Sequence, residues 1–575
     1  GLMRNPPDRR AFFRYFASLG LATSLLPRTL LAQIEEQAQE HIPMKLTKDM
    51  VRNAASVAGL SFTDKQLDRM TEGANLSLGG YDVFRTVAFA NSVAPPLYFN
   101  PVVPGTRIDR SRKPMRMSKP LKVTRPAHIE DLAYLPVTQL AELIRTKQVS
   151  SLELTDMYLG RMKRLNPKLL AVVTVTEELA RTQAQEADTE IRSGKYRGPL
   201  HGIPWGVKDI ISAKGYPTTW GAATFKDRVI DEDATVVRRL HEAGAVLIAK
   251  LSTGELALDD VWFGGQTKNP WDLTMGSQGS SAGPASATSA GLVGFSIGTE
   301  TGGSIVEPAG ICGVTGLRPT FGRVSRHGAM TLSWSLDKIG PICRSVEDCA
   351  LVLAAIQGPD DADLSLVDVP FNWNAKFDIS RLRVGYLKAA FQDTKQTPKV
   401  EANDRAALDK LRLLGFNLVE VAIPEMTTDM LAIMYGEATA ALRDPVEDRP
   451  ELLVRQDRVA RQNGYRLLPA ADYLNANRAR MLLMIEMAKV FDKVDLYVLP
   501  FDYSDYTPNP VASRNTTITN LTGHPCVQVP HGFDEKGNPT ALAFVGKLFG
   551  EVEMMAAAMA YEQATEWHLK HPKLG

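Results

Sequence analysis

Residues 276–323 constrain this chain more than any other stretch: GSQGSSAGPASATSAGLVGFSIGTETGGSIVEPAGICGVTGLRPTFGR. Small residues crowd it. Glycine tolerates positive φ and lets a ligand approach main-chain N–H groups. Ser280 and Ser281 lie between Gly279 and Gly283, and Ser304 follows Gly302-Gly303. The segment reads as serines presented on tight turns, with N–H groups free to bind an oxyanion. Three other readings compete. A phosphate cradle needs Gly-Lys-Ser/Thr, which does not occur here. A nucleophile elbow is matched by Gly294-Phe295-Ser296-Ile297-Gly298, with Asp495 and His524 as partners. The third is plain close packing of backbones.

The flanking sequence alternates helix and strand signals. Ala171–Val175 is a short β-rich run, and Glu177–Gly194 a charged helix stopped by glycine. A helix is expected near Thr235–Gly244, then a strand at Ala245–Ala249. Leu292–Ile297 reads as a buried strand. Met426–Phe491 is largely helical, Asp495–Leu499 and Cys526–Val529 return as strands, and Val552–His568 closes the chain as a helix. This pattern argues for an α/β fold with helices packed on a sheet.

Composition narrows the function. There are 66 Lys+Arg and 65 Asp+Glu, a net charge of +1. No global field steers the protein to nucleic acid or an anionic membrane. Cys312, Cys343, Cys349 and Cys526 are too few for a disulfide scaffold. No Cys/His set has metal-site spacing, so no metal is expected. No apolar run reaches 18 residues, so no membrane span is expected.

The N-terminal part differs. Asp8-Arg9-Arg10-Ala11-Phe12-Phe13-Arg14 precedes the apolar stretch 15–27. Residues 1–33 therefore read as a twin-arginine-like leader, with Met3 as the natural start and export to the periplasm or outside as the expectation. Residues 34–106 read as a helical appendage. Residues 107–125 hold eight Lys/Arg against one Asp and read as a basic linker or surface strap.

Lys208, Ser280-Ser281 and Ser304, in that order, resemble the amidase signature family of serine hydrolases. That resemblance rests on Gly279-Ser280-Ser281-Ala282-Gly283 and on Gly298-Thr299-Glu300-Thr301-Gly302-Gly303-Ser304. Upstream it includes the run from His201 to Asp209. Downstream it includes Cys312–Thr320, Ser335–Pro341 and Asn520–Pro525. It covers roughly residues 128–570. It implies a large mixed central sheet with helices on both faces, with 126–575 as the catalytic domain. It implies Ser304 as nucleophile, Ser280 as a bridging serine with a cis peptide bond, and Lys208 as base. Thr301, Gly302, Gly303 and Ser304 would form the oxyanion hole, supported by Ser281, Gly279 and Asp209. No cofactor is implied.

The chemistry suits these residues. A serine hydroxyl needs a base in hydrogen-bond reach. A lysine with pKa about 10.4 serves near neutrality only if burial lowers it. Lys208 follows Ile203, Trp205 and Val207. Two departures stand out: Val306 replaces the family's usual Arg, and Glu300 replaces Asp. Glu300 is expected to lose a charge partner. The expected function is hydrolysis of a small-molecule carboxylic amide, with esters or carbamates as further substrates, by a monomer or homodimer. The alternatives are the transamidating subunit of a tRNA-dependent amidotransferase, with partner chains, and an exported binding protein without catalysis. Met430, Met434, Tyr435, Tyr473, Met481 and Met484 read as core or as walls of an acyl pocket.

Overall fold

The computed structural model describes residues 46–77, 91, 97–392, 396–426, 428–443, 449–456, 462, 465–501 and 509–574. The leader expected at 1–33 lies outside them. The chain forms two compact units, one of residues 1–94 with 464–472 and one of 95–463 with 473–575.

In the smaller unit, α1 (Lys48–Val57) and α2 (Asp64–Ser77) form a helical pair. Thr47 caps α1 by accepting from Met50 N. Asn75 Nδ2 donates to Leu46 O, and Lys48 and Arg52 pair with Asp64.

In the larger unit, α3 (Val137–Arg145) and α4 (Ser151–Leu169) come first. Ser150 and Glu153 form a reciprocal capping box at α4, satisfying two otherwise unpaired N–H groups. The chain continues through β1 (Val172–Val175), α5 (Glu177–Arg192), β2 (Pro204–Lys208), α6 (Thr235–Glu242) and β3 (Val246–Leu251). Next come α7 (Ala282–Ser289), β4 (Phe295–Glu300), α8 (Val306–Ile311), β5 (Thr315–Arg318), β6 (Lys338–Cys343) and α9 (Val346–Ile356). The last part holds β7 (Val384–Leu387), α10 (Pro398–Leu413), β8 (Leu418–Val421), α11 (Met430–Ala441) and α12 (Ala470–Lys493). It ends with β9 (Leu496–Pro500), α13 (Pro510–Thr522), β10 (Cys526–Phe533), β11 (Pro539–Gly546) and α14 (Glu551–Thr565).

Eleven strands make one mixed sheet in the order β1-β3-β2-β4-β6-β5-β10-β11-β9-β7-β8. The β3-β2-β4 and β9-β7-β8 segments are parallel and the remaining pairs antiparallel. Both faces are covered, and the strands show why. Leu496, Val498, Val527, Val529, Leu542 and Phe544 enter one apolar core. Tyr497, Leu499, Cys526, Ala541, Ala543 and Val545 enter another. Successive side chains on a strand point to opposite faces, so this alternation fills two layers. Every residue of β2, β3 and β4 is buried, as expected of parallel strands covered on both sides.

The basic segment is no free linker. Its backbone is pinned where Arg116 N donates to Trp373 O and Ala375 N donates to Arg116 O. Ser118 N donates to Glu347, and Arg112 pairs with Asp368. Met115, Met117 and Val123 pack on the core while Arg116, Lys119 and Lys122 stay exposed. Residues 97–125 therefore belong to the larger unit as a strap. Among the described residues, no helix is long and apolar enough to cross a membrane, and no His/Cys/Asp/Glu group could hold a metal ion. All four cysteines are free and buried.

Candidate active site

Parallel neighbours β2 and β4 point their C-terminal ends the same way, a common place for a site in an open α/β sheet. Lys208 is the last residue of β2. The 301–304 turn leaves β4 directly and leads into α8. The Ser280 turn precedes α7, and its Gly279–Ser280 peptide bond is cis. Gly279 is required by space: a Cβ there would stand 1.9 Å from Asp259 O. Gly303 is required by conformation, with φ +136°.

Lys208 is fully enclosed. Its Nζ lies 2.8 Å from Ser280 Oγ, 2.8 Å from Thr299 Oγ1, 3.1 Å from Ser281 Oγ and 3.4 Å from Thr299 O. Burial drives the amine well below the ordinary lysine value, and the opposing charges of Asp337 and Glu300 only partly offset it. A neutral amine has two N–H donors and one lone pair. Ser281 Oγ donates to Thr299 O and accepts from Thr299 N, so its proton is already committed. The hydroxyls left to face the lone pair are those of Ser280 and Thr299. Ser281 N also donates to Ser304 O at 3.1 Å, joining the two serine turns. Ser304 is half-buried and its hydroxyl makes no hydrogen bond among the described residues.

Glu300 keeps a partner despite Val306. Arg318 Nη1 donates to its Oε1 at 2.8 Å, and Asn520 Nδ2 donates to the same oxygen at 3.0 Å. The amides of Ile305 and Val306 donate to Oε2 at 2.9 and 3.1 Å. Burial alone would raise this carboxyl, but Arg318, Lys338 and these bonds hold it below its usual range. The expected loss of a charge partner does not occur, because Arg318 on β5, one strand beyond the β6 that pairs with β4, supplies the cation. The carboxylate grips the backbone just past Ser304.

Asp209 is buried away from the Lys208 amine's contacts. It accepts from Lys250 Nζ at 2.7 Å and from Thr219 N at 3.1 Å, with the Thr219 hydroxyl beside it. Lys250 also donates to Thr218 Oγ1 and Pro217 O. Both members of the pair are fully enclosed. Removing one partner of such a pair strands a buried charge. Lys250→Ala is expected to destabilise the fold by about 3–5 kcal/mol, read as a lower unfolding midpoint in denaturant. An unchanged midpoint would deny the pair its role behind Lys208.

Ser296, Asp495 and His524 are not brought together. Ser296 lies inside β4 with no turn, its hydroxyl donating to Pro284 O and bonded to Thr288 Oγ1. Asp495 pairs with Arg383 and Lys547. His524 stacks on Phe491 and bonds Thr522 Oγ1, and burial pushes its imidazole down to about 3. The elbow reading is thereby removed. Ser296→Ala is expected to leave amide turnover at the wild-type level, checked by steady-state kinetics on the folded variant.

Sequence reasoning missed Thr299 as a lysine partner, although it stands in the quoted glycine-rich run. It missed Glu437, whose carboxylate accepts from Ser333 Oγ, Ser335 N and Oγ, and Tyr473 OH. No local pattern marked that residue. Met430 lies against the turn, its Cε 2.3 Å from where a Gly302 Cβ would stand. Tyr435 and Met484 are buried, Met434 and Tyr473 half-buried and Met481 exposed, so of the six residues Met430 is the one placed on the turn.

The match to known proteins agrees with this frame. The family model described as Amidase matches residues 153–555. The chain belongs to the Amidase family. The family's solved members include native peptide amidase from Stenotrophomonas maltophilia, similar at a TM-score of 0.69 and 30% identity, with 76% of this chain and 98% of that one covered. Among curated members, a glutamyl-tRNA(Gln) amidotransferase subunit of Roseiflexus castenholzii is 36% identical over 485 residues, 77% of this chain and 98% of that protein. The corresponding subunit of Moorella thermoacetica is 35% identical over 490 residues, 77% and 99%. Membership supports an enzyme that acts on C–N bonds and a mixed sheet flanked by helices.

Proposed function

We propose that this chain cleaves a carboxylic amide by acyl transfer to Ser304. The observation that carries the reading is the buried Lys208 amine 2.8 Å from the Ser280 hydroxyl, with burial driving it well below the ordinary lysine value. Ser304 Oγ attacks the amide carbonyl and passes its proton to Ser280 while Ser280 passes its own to Lys208. The carbonyl oxygen takes the developing negative charge and is met by amides of the 301–304 turn. Return of the proton through the same path protonates the leaving nitrogen. The C–N bond breaks, leaving an acyl-Ser304 and a free amine or ammonia. A water, activated by the same relay, then releases the acid. Apo contacts at such sites are often longer than in the reacting complex, so the open Ser304 hydroxyl fits this sequence.

The first reading is a free-standing amidase, supported by the similarity to peptide amidase. A second reading is favoured by the curated relatives: one subunit of a glutamyl-tRNA(Gln) amidotransferase. The 33–36% identity to such relatives runs through nearly their whole length. Ammonia release from a panel of primary amides by the isolated chain separates them. Turnover without partners supports the first reading. Turnover that appears only with the other amidotransferase chains supports the second. Export through residues 1–33 belongs to the first reading, and an unprocessed chain retained with cytoplasmic partners belongs to the second. An N-terminal mass of the native protein distinguishes these.

A further inference from the structure

The 301–304 turn is gripped from two sides. Behind it, Glu300 holds the amides of Ile305 and Val306. In front of it, Thr301 Oγ1 donates to Asp337 Oδ1 at 2.7 Å. Asp337 is itself fixed. Its Oδ2 accepts from Leu332 N at 2.8 Å and Ser333 N at 3.0 Å, and its own N donates to Ser333 O at 3.1 Å. That loop is anchored in turn. Glu437 of α11 accepts from Ser333 and Ser335, while Arg480 of α12 donates to Ser335 Oγ and O, each at 2.9 Å. A carboxylate with both oxygens engaged, on an anchored loop, makes a rigid support for the Thr301 hydroxyl.

Resting on the acyl-transfer reading, we propose that Asp337 is a positioning residue that acts through Thr301 to aim the amides of the 301–304 turn at the substrate oxygen. It touches no reacting atom in this role. Orientation matters because an oxyanion donor works only when aimed where the charge develops. Thr301 is 6% exposed, so its hydroxyl has no ready solvent replacement for the bond. Glu300 holds the Ile305 and Val306 amides at the far end of the turn, and Asp337 holds the Thr301 hydroxyl at its near end.

The test follows phosphonylation of Ser304 by a fluorophosphonate, whose phosphoryl oxygen occupies the same turn. It compares the wild type with Thr301→Val, Asp337→Asn and the double variant. Each single variant is expected to lower the maximal labelling rate by roughly 10–100-fold, short of the 10²–10³ lost when an oxyanion donor is deleted. The half-saturating probe concentration should stay within about twofold of wild type, since ground-state binding is untouched. The double variant should be no slower than the slower single, because both changes remove one interaction. Thr301→Ser keeps the hydroxyl and should restore most of the rate.

Losses that multiply in the double variant would overturn the proposal. So would an effect confined to half-saturation, which would make Asp337 a substrate contact. Wild-type rates in Thr301→Val would overturn it as well, and that variant carries the test if Asp337→Asn does not fold. Ser304→Ala run beside them separates the two levels. Labelling that survives Ser304→Ala refutes the acyl-transfer reading, and the positioning role falls with it. Labelling lost in Ser304→Ala but normal in Thr301→Val refutes only the role of Asp337.

Discussion

Ser304→Ala is expected to lower amide turnover by about 10⁶, the scale seen when the nucleophile of a serine hydrolase is removed. The size follows from the lack of a substitute. The Ser281 proton is committed to Thr299 O. Ser296 is enclosed within β4 and bonded to Pro284 O. Cys312 lies near in sequence, but burial pushes its thiol far up, so it offers no thiolate. Ser280 is held against Lys208, on the relay side of the site. Secondary structure by circular dichroism should be unchanged, because the Ser304 hydroxyl makes no hydrogen bond among the described residues. Retained turnover in the folded variant would place the chemistry elsewhere.

Lys208→Met is expected to lower turnover by about 10³–10⁴ at neutral pH, the upper range of general-base catalysis. Its pH behaviour carries further information. Burial lowers the amine well below the ordinary lysine value and so favours its neutral form, against the pull of Asp337 and Glu300. Wild-type activity needs that neutral form, so it should fall as pH drops through the lowered lysine value. Partial recovery of the variant at high pH is expected as hydroxide replaces the lost base. Stability has its own sign. The unfolded lysine holds its proton up to about pH 10.4, while the folded one gives it up at lower pH. Between those values the unfolded state binds more protons, so stability from this group rises with pH and levels off near the unfolded value. Lys208→Met removes that slope. The difference in melting temperature, variant minus wild type, should therefore shrink from pH 7 toward pH 10. A constant difference would mean that Lys208 is charged in the folded protein.

The elements that position the site were legible because their signals are local. The buried run of β4 and the glycine turn after it follow from residue size within a few positions. Lys208 was singled out through the family resemblance, and its apolar approach was only compatible with burial. Glu300 was misread because its cation, Arg318, arrives on β5, which reaches the neighbourhood only through sheet order. Asp337 stood in a noted motif, yet its bond to Thr301 spans 36 positions and depends on β6 pairing with β4. On α11, Met430 reads in the sequence as core or as a wall of an acyl pocket, whereas Glu437 stands in a stretch with no pattern to mark it. The segment 107–125 reads as a linker or a surface strap because its charges dominate. Its Met115, Met117 and Val123 alternate inward, and that shorter signal decided where the backbone lies. Period and turn chemistry are written locally, whereas strand order and buried ion pairs are set by contacts across the sheet.

The central claim is that Ser304 is the activated serine. Its most direct test is the intact mass after incubation with a fluorophosphonate, followed by peptide mapping of the adduct. A single adduct on Ser304, absent in Ser304→Ala and slowed in Lys208→Met, is the predicted result. An adduct on Ser296, or amide turnover that persists while Ser304 stays unlabelled, would contradict it.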